Sequence, residues 1–256
     1  MKTVILCGGK GLRIRNVSDE IPKPMIKIGN HPIVYHIMNT YSKFNYNNFV
    51  LCLGYKGDQI INFFKNLKYY DNDVLFDFSK KNELFKIDKN ISKWKVQLAH
   101  TGLESNTGYR VFKIKKYITD KSFFLTYGDG IGKIKIDKLL KFHKSHNKIA
   151  TLTSVRPPSR FGEIIIKNKK VELFDEKPQV NVGRINGGFF VCDRKIFDYF
   201  KDCNESCSFE HDILPKLAKD SQLMSYDHKD FWMPMDTHRE YELLNKLWKK
   251  DPKNFI

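Results

Sequence analysis

Glycines follow directly on the first apolar run of the chain. Thr3-Val4-Ile5-Leu6 leads into Gly8-Gly9-Lys10-Gly11-Leu12-Arg13, and Pro22-Lys23-Pro24-Met25 comes shortly after. Glycines just past the carboxyl end of a strand let main-chain amides approach a phosphate closely. A nearby Arg13 and Lys23 add fixed positive charge. Two familiar phosphate motifs are excluded. No Gly-Lys-Ser/Thr triplet is present, and Ile14 stands where a dinucleotide-binding loop needs its third glycine. On glycines alone, a structural turn decorated by surface charge is the better explanation of the stretch. A second constellation is Cys203, Cys207 and His211, whose spacing would put two thiols and an imidazole on one helical face. No fourth ligand is obvious, and Asp202, Asn204, Glu205 and Ser206 read as a polar loop leading into a helix, not as a metal site.

The residues around these groups predict the elements that must position them. Thr3–Leu6, Phe49–Leu53, Phe123–Thr126, Ile149–Val155 and Gly188–Val191 are apolar runs without polar alternation, as in strands buried on both faces. Between them, 32–46, 58–65 and 136–146 carry apolar residues at helical spacing. Strands alternating with helices predict an α/β fold with a mixed, mostly parallel sheet. Glu163–Ile166 and Lys170–Phe174, joined at Asn168-Lys169, predict a small antiparallel excursion. Thr237 with Glu240 forms a capping box that opens the last helix. No internal repeat or linker divides the chain, so a single domain over 1–256 is expected.

Composition narrows the function further. The chain has 256 residues, 45 Lys and Arg against 29 Asp and Glu, and 14% aromatics. That aromatic content opposes disorder, and the apolar runs are far shorter than the ~18 residues of a membrane span. The N-terminal run is too short for a signal peptide, which predicts a cytoplasmic protein. Five cysteines, three of them in strand-like runs, argue against a disulfide framework. The charge of +16 admits a noncatalytic module that binds RNA or another polyanion. The lysines are spread along the chain without a stacking motif, however, so a solvated basic surface biased toward anionic substrates is favoured, with neither nucleic acid nor membrane as partner.

The wider spacing resembles the sugar-1-phosphate nucleotidyltransferases. Gly8-Gly9-x-Gly11-x-Arg13 followed by Pro22-Lys23-Pro24 is similar to that family's first signature. Tyr127-Gly128-Asp129-Gly130, Glu176-Lys177-Pro178, Ile185-Asn186-Gly187-Gly188-Phe189-Phe190 and Trp232-Met233-Pro234-Met235-Asp236-Thr237 resemble its later ones. Together they span nearly the whole chain. Finer details, including Gly54-Tyr55-Lys56-Gly57, Pro157 with Arg160-Phe161-Gly162, and Phe231-Trp232, resemble the cytidylyltransferase branch.

The resemblance implies a Rossmann-like three-layer nucleotidyltransferase fold and a reaction. A sugar-phosphate oxygen attacks the α-phosphorus of CTP, pyrophosphate leaves, and the acceptor implied is glucose 1-phosphate. A cytidylyl- or thymidylyltransferase with another phosphorylated acceptor is the neighbouring alternative. On this pattern Asp129 and Asp236 hold Mg2+, Arg13 grips the β- and γ-phosphates, and Lys23 grips the α-phosphate. Gly8, Gly9, Gly11 and Arg110 complete the nucleotide site. Lys177 holds the acceptor phosphate, and Asn186 and Gly188 bind the sugar. A homo-oligomer is expected. Each residue also has a plainer reading: Asp129 as a turn residue, Asp236 as helix-terminal charge, Asn186 as a buried turn, the lysines as solvated surface, and Trp232 as core. Three departures from the pattern bear on substrate identity. Leu12 replaces a threonine, Tyr109 replaces a glycine, and Glu163 replaces a small residue.

Overall fold

The computed structural model describes residues 1–9, 21–69, 93–157, 163–167, 169–175 and 183–252. In chain order the elements are β1 (Lys2–Leu6), two short strands β2 (Lys27–Ile28) and β3 (His31–Pro32), α1 (Ile33–Ser42), β4 (Asn48–Leu53), α2 (Gly57–Asn66) and β5 (Lys95–His100). Then come α3 (Thr107–Lys113), β6 (Ser122–Tyr127), β7 (Gly130–Gly132), α4 (Ile136–His146), β8 (Ala150–Val155) and the pair β9 (Glu163–Lys167) and β10 (Lys170–Asp175). The chain continues through β11 (Ile185–Asp193), α5 (Leu214–Lys219), β12 (Leu223–Asp227), β13 (Trp232–Pro234) and α6 (His238–Lys250).

Seven strands form the central sheet in the order β12-β8-β11-β6-β1-β4-β5. β11 runs antiparallel to both neighbours, and the remaining pairs are parallel. The apolar runs read as two-faced strands are indeed covered on both sides. Ile5, Leu51, Phe124 and Phe189 face one core, where α1, α4 and α6 contribute Met38, Leu139 and Leu244. Val4, Leu6, Val50, Leu125 and Phe190 face the other, against Val111 of α3, Phe197, Phe209 and Leu217 of α5. Successive side chains of a strand point to opposite faces, so the uninterrupted apolar sequence dictates a three-layer α/β/α arrangement. β9 and β10 form the expected antiparallel excursion. Among the described residues, no helix is long and apolar enough to cross a membrane.

Two local features refine the sequence reading. Thr107-Gly108-Tyr109-Arg110 forms the first turn of α3, capped by the Asn106 side chain, which accepts from the Thr107 amide at 2.8 Å. Tyr109 projects toward Phe112 (ring centroids 6.0 Å apart) and lines neither of the cavities described below. Cys203 and Cys207 are bridged by a disulfide, their Cα atoms 5.4 Å apart and so within bonding reach. Cys7, Cys52 and Cys192 are free and buried, so the broader expectation of no disulfide framework stands with this single local exception. The bridge also removes both sulfurs as ligands for a metal with His211.

Candidate active site

The site lies at the carboxyl ends of β1 and β6, where ligands of open α/β sheets bind. These strands are parallel neighbours, with Leu6 opposite Tyr127, so Cys7-Gly8-Gly9 and Gly128-Asp129 leave the sheet side by side. Asp236 reaches the same point by another route. β13 pairs with β7, and the Met235 amide then donates to the Asp129 carbonyl at 2.8 Å. The capping box holds it there. The Glu240 carboxylate accepts from the Asp236 amide at 2.7 Å and the Thr237 amide at 2.9 Å, while the Thr237 hydroxyl accepts from the Glu240 amide at 3.3 Å. The cap therefore serves the helix and fixes the carboxylate immediately before it.

Lys23, on a short turn flanked by Pro22 and Pro24, completes the cluster. Its ammonium lies 2.6 Å from Asp129 Oδ2 and 2.5 Å from Asp236 Oδ1. Burial works against the charge, but the two carboxylates outweigh it by attraction and hydrogen bonding and raise the Lys23 pKa. Two carboxylates that converge on one ammonium at such distances can converge on a metal ion. Their hard oxygen donors suit a divalent cation such as Mg2+, which commonly keeps water or substrate phosphate at its other positions. Among the described residues no third carboxylate, histidine or thiol joins them.

Two cavities of about 420 Å3 each open on either side of this cluster, and Tyr127, Asp129 and Asp236 line both. The first is bounded by Gly8, Gly9, Lys23, Thr107 and Arg110. Arg110 is buried, and its guanidinium donates to main-chain carbonyls of Leu53 (3.1 Å), Gly102 (2.8 Å), Gly8 (3.0 Å) and Leu103 (3.3 Å) and to the Thr101 hydroxyl (2.8 Å). It thus braces the glycine turn from beneath. A Cβ on Gly8 would fall 2.2 Å from Arg110 Nη1, which explains the glycine there, whereas a Cβ on Gly9 would meet nothing within 4 Å among the described residues.

The second cavity is lined by Asn186, Gly188, Glu210, Trp232 and Glu240. Gly188 adopts φ +77°, and a Cβ there would lie 2.5 Å from the Tyr127 ring. Asn186 Oδ1 accepts from the Gly188 amide at 2.9 Å, and Trp232 Nε1 donates to the Gly187 carbonyl at 2.8 Å. Trp232, read as core from the sequence, packs against the core and also forms a wall of the cavity. Glu210 and Thr107 carried no sequence signal, because the contacts of Glu210 with Thr107 and Tyr127 join distant parts of the chain. Of the residues expected in the site, Gly8, Gly9, Lys23, Arg110, Asp129, Asp236, Asn186 and Gly188 line these cavities. Gly11, Arg13 and Lys177 lie outside the described residues, as do Leu12 and Arg160-Phe161-Gly162.

Glucose-1-phosphate cytidylyltransferase of Salmonella typhimurium is 40% identical over 251 residues, covering 98% of this chain and 96% of that protein. The crystal structure of HddC from Yersinia pseudotuberculosis complexed with GMP-PN superposes with a TM-score of 0.69 at 24% identity, over 96% of this chain and 99% of the other. A UDP-glucose pyrophosphorylase complexed with UDP-glucose gives 0.71 at 14% identity, over 97% and 98% of the two chains. At those identities the two structures establish the fold alone. The nucleotidyl transferase family model matches residues 2–249, so the chain belongs to the nucleotidyl transferase family.

Proposed function

We propose that the chain transfers CMP from CTP to α-D-glucose 1-phosphate, giving CDP-glucose and pyrophosphate with Mg2+ as cofactor. The observation that carries this reading is the pair of cavities meeting at Asp129 and Asp236, in a chain 40% identical to a glucose-1-phosphate cytidylyltransferase along nearly its whole length. The first cavity takes the nucleotide and the second the sugar phosphate, so the reacting phosphorus sits at the junction. A phosphate oxygen of the sugar phosphate forms the new bond to the α-phosphorus as the bond to the bridging oxygen breaks and pyrophosphate carries away that electron pair. Both reactants are anions, so charge neutralisation and alignment dominate and no covalent nucleophile is needed. A divalent ion held by Asp129 and Asp236 supplies charge neutralisation for the nucleotide phosphates.

The protein's own groups do the rest. Lys23, which lines the nucleotide cavity beside the two carboxylates, would present its ammonium to the α-phosphate. Gly8 and Gly9 offer main-chain amides to the phosphates, and Arg13 and Gly11 belong to the same proposed subsite. Arg110 keeps the turn in shape and adds buried positive charge behind it. Asn186 and Gly188 hold the sugar, Lys177 its phosphate. A homo-oligomer is part of this reading, and light scattering tests it. The reaction itself is tested by pyrophosphate release from each of the common nucleoside triphosphates against a set of sugar 1-phosphates. Release with CTP and glucose 1-phosphate, favoured over UTP by about a hundredfold in kcat/KM because the mismatched base strands buried polar groups, is the expected result. Equal use of UTP or dTTP contradicts it.

A further inference from the structure

One carboxylate in the second cavity takes no part in the reaction as derived. Glu210 lies on a single π-turn, Phe209–Ile213, a backbone form often found at functional sites. Three hydroxyls donate to it: Tyr127 at 2.5 Å on Oε1, and Thr107 at 2.5 Å and Ser208 at 2.9 Å on Oε2. Burial and then the adjoining Glu210 charge push the Tyr127 phenol well above its ordinary pKa, which keeps it a donor. A carboxylate offers about four acceptor positions. Three are filled, and the fourth, on Oε1, is open among the described residues, in a side chain that lines the cavity.

The neighbouring groups are otherwise engaged. The Trp232 indole N–H bonds to Gly187, so this ring offers a face and not a donor. Asn186 bonds to the Tyr127 hydroxyl at 3.3 Å and to the Gly188 amide. Asp129 and Asp236 hold a cation. Glu210 has no cationic partner among the described residues, so it disfavours a phosphate at its own position. A ring hydroxyl is the neutral donor that fits what remains.

We propose that Glu210 is a specificity-determining residue: its open acceptor position takes a hydrogen bond from one ring hydroxyl of the sugar in the second cavity and so rejects acceptors that lack it. This rests on the reading that the second cavity holds a hexose 1-phosphate. The test is calorimetric titration of wild type, Glu210→Gln and Tyr127→Phe with glucose 1-phosphate and each of its monodeoxy analogues. Wild type loses at least about tenfold in affinity for one analogue, because a missing donor strands a charged acceptor. Glu210→Gln binds that analogue and the parent within about threefold of each other. Tyr127→Phe, which keeps the carboxylate, keeps the discrimination. If Glu210→Gln fails to fold, Glu210→Asp, which withdraws the charge by one methylene, is read by the same ratio.

Unchanged discrimination in the Glu210 variant, or none in wild type, overturns the proposal. CTP takes no part in the titration, so failure of CTP as a substrate would overturn the proposed reaction and leave this result standing. Absence of binding by every hexose 1-phosphate overturns both.

Discussion

Lys23 is held where two carboxylates compete with a phosphate for its charge. Without it, Asp129 and Asp236 face each other with no counter-ion, a repulsion that a metal ion relieves. Lys23→Ala should therefore bind Mg2+ more tightly in the nucleotide-free enzyme, by about tenfold, while kcat falls far more than either KM changes. Metal titration by calorimetry reads the first effect, and unchanged or weaker Mg2+ binding would show that the ammonium does not occupy the metal's place. Arg110 makes a different prediction. Its hydrogen bonds are to main-chain carbonyls and a hydroxyl, so Arg110→Met strands several buried acceptors and should lower stability by at least about 2 kcal/mol. Urea unfolding with unchanged stability would contradict its bracing role. The sequence pointed to Lys23 and Arg110 through their motifs, but only the fold shows what each one touches. Glu210 was invisible for the same reason: Ser208 is its neighbour on the π-turn, but Thr107 and Tyr127 are brought to it by distant parts of the chain.

Elements buried on both faces were legible, and those at the edges were not. β1, β4 and β6 read as unbroken apolar runs because both sides of the central sheet are covered. β5 and β12 lie at the sheet edges and alternate with exposed residues, so their signal is diluted. The antiparallel direction of β11 follows from pairing with β6 and β8, far away in sequence, and no local pattern encodes it. The capping box of α6 was legible because it is wholly local. It also supports a prediction at this scale. Thr237→Ala should cost about 1 kcal/mol of stability through the lost cap, and it should raise the Mg2+ concentration for half-maximal activity because Asp236 loses its anchored neighbour. Thermal unfolding and metal titration of activity measure the two. Lost stability with an unchanged metal requirement would separate the cap from the site.

At the scale of the molecule, two buried histidines contribute to the loss of stability in acid. Burial, against a hydrogen bond to the Ile28 carbonyl, brings His36 down from 6.5 to about 4. Burial, followed by His146, brings His143 down from 6.5 to about 4, with Asp193 opposing and Lys121 and Lys144 reinforcing. The folded form thus holds both rings neutral in a range where the unfolded chain takes up protons. Stability is fully present above pH 6.5 and falls as the pH drops toward 4, by up to about 3 kcal/mol for a ring as shielded as His36. His36→Gln should flatten that part of the profile, measured as urea midpoints across the range; an unaltered slope would assign the loss elsewhere.

The whole arrangement converges on one point, the junction of two cavities at a pair of carboxylates. The most direct test is pyrophosphate release from CTP and glucose 1-phosphate by Asp129→Asn beside wild type, with circular dichroism to verify the fold. Loss of several orders of magnitude in kcat with the fold intact is the expected result. Activity within tenfold of wild type, about 1.4 kcal/mol in the barrier, would contradict a metal held between Asp129 and Asp236.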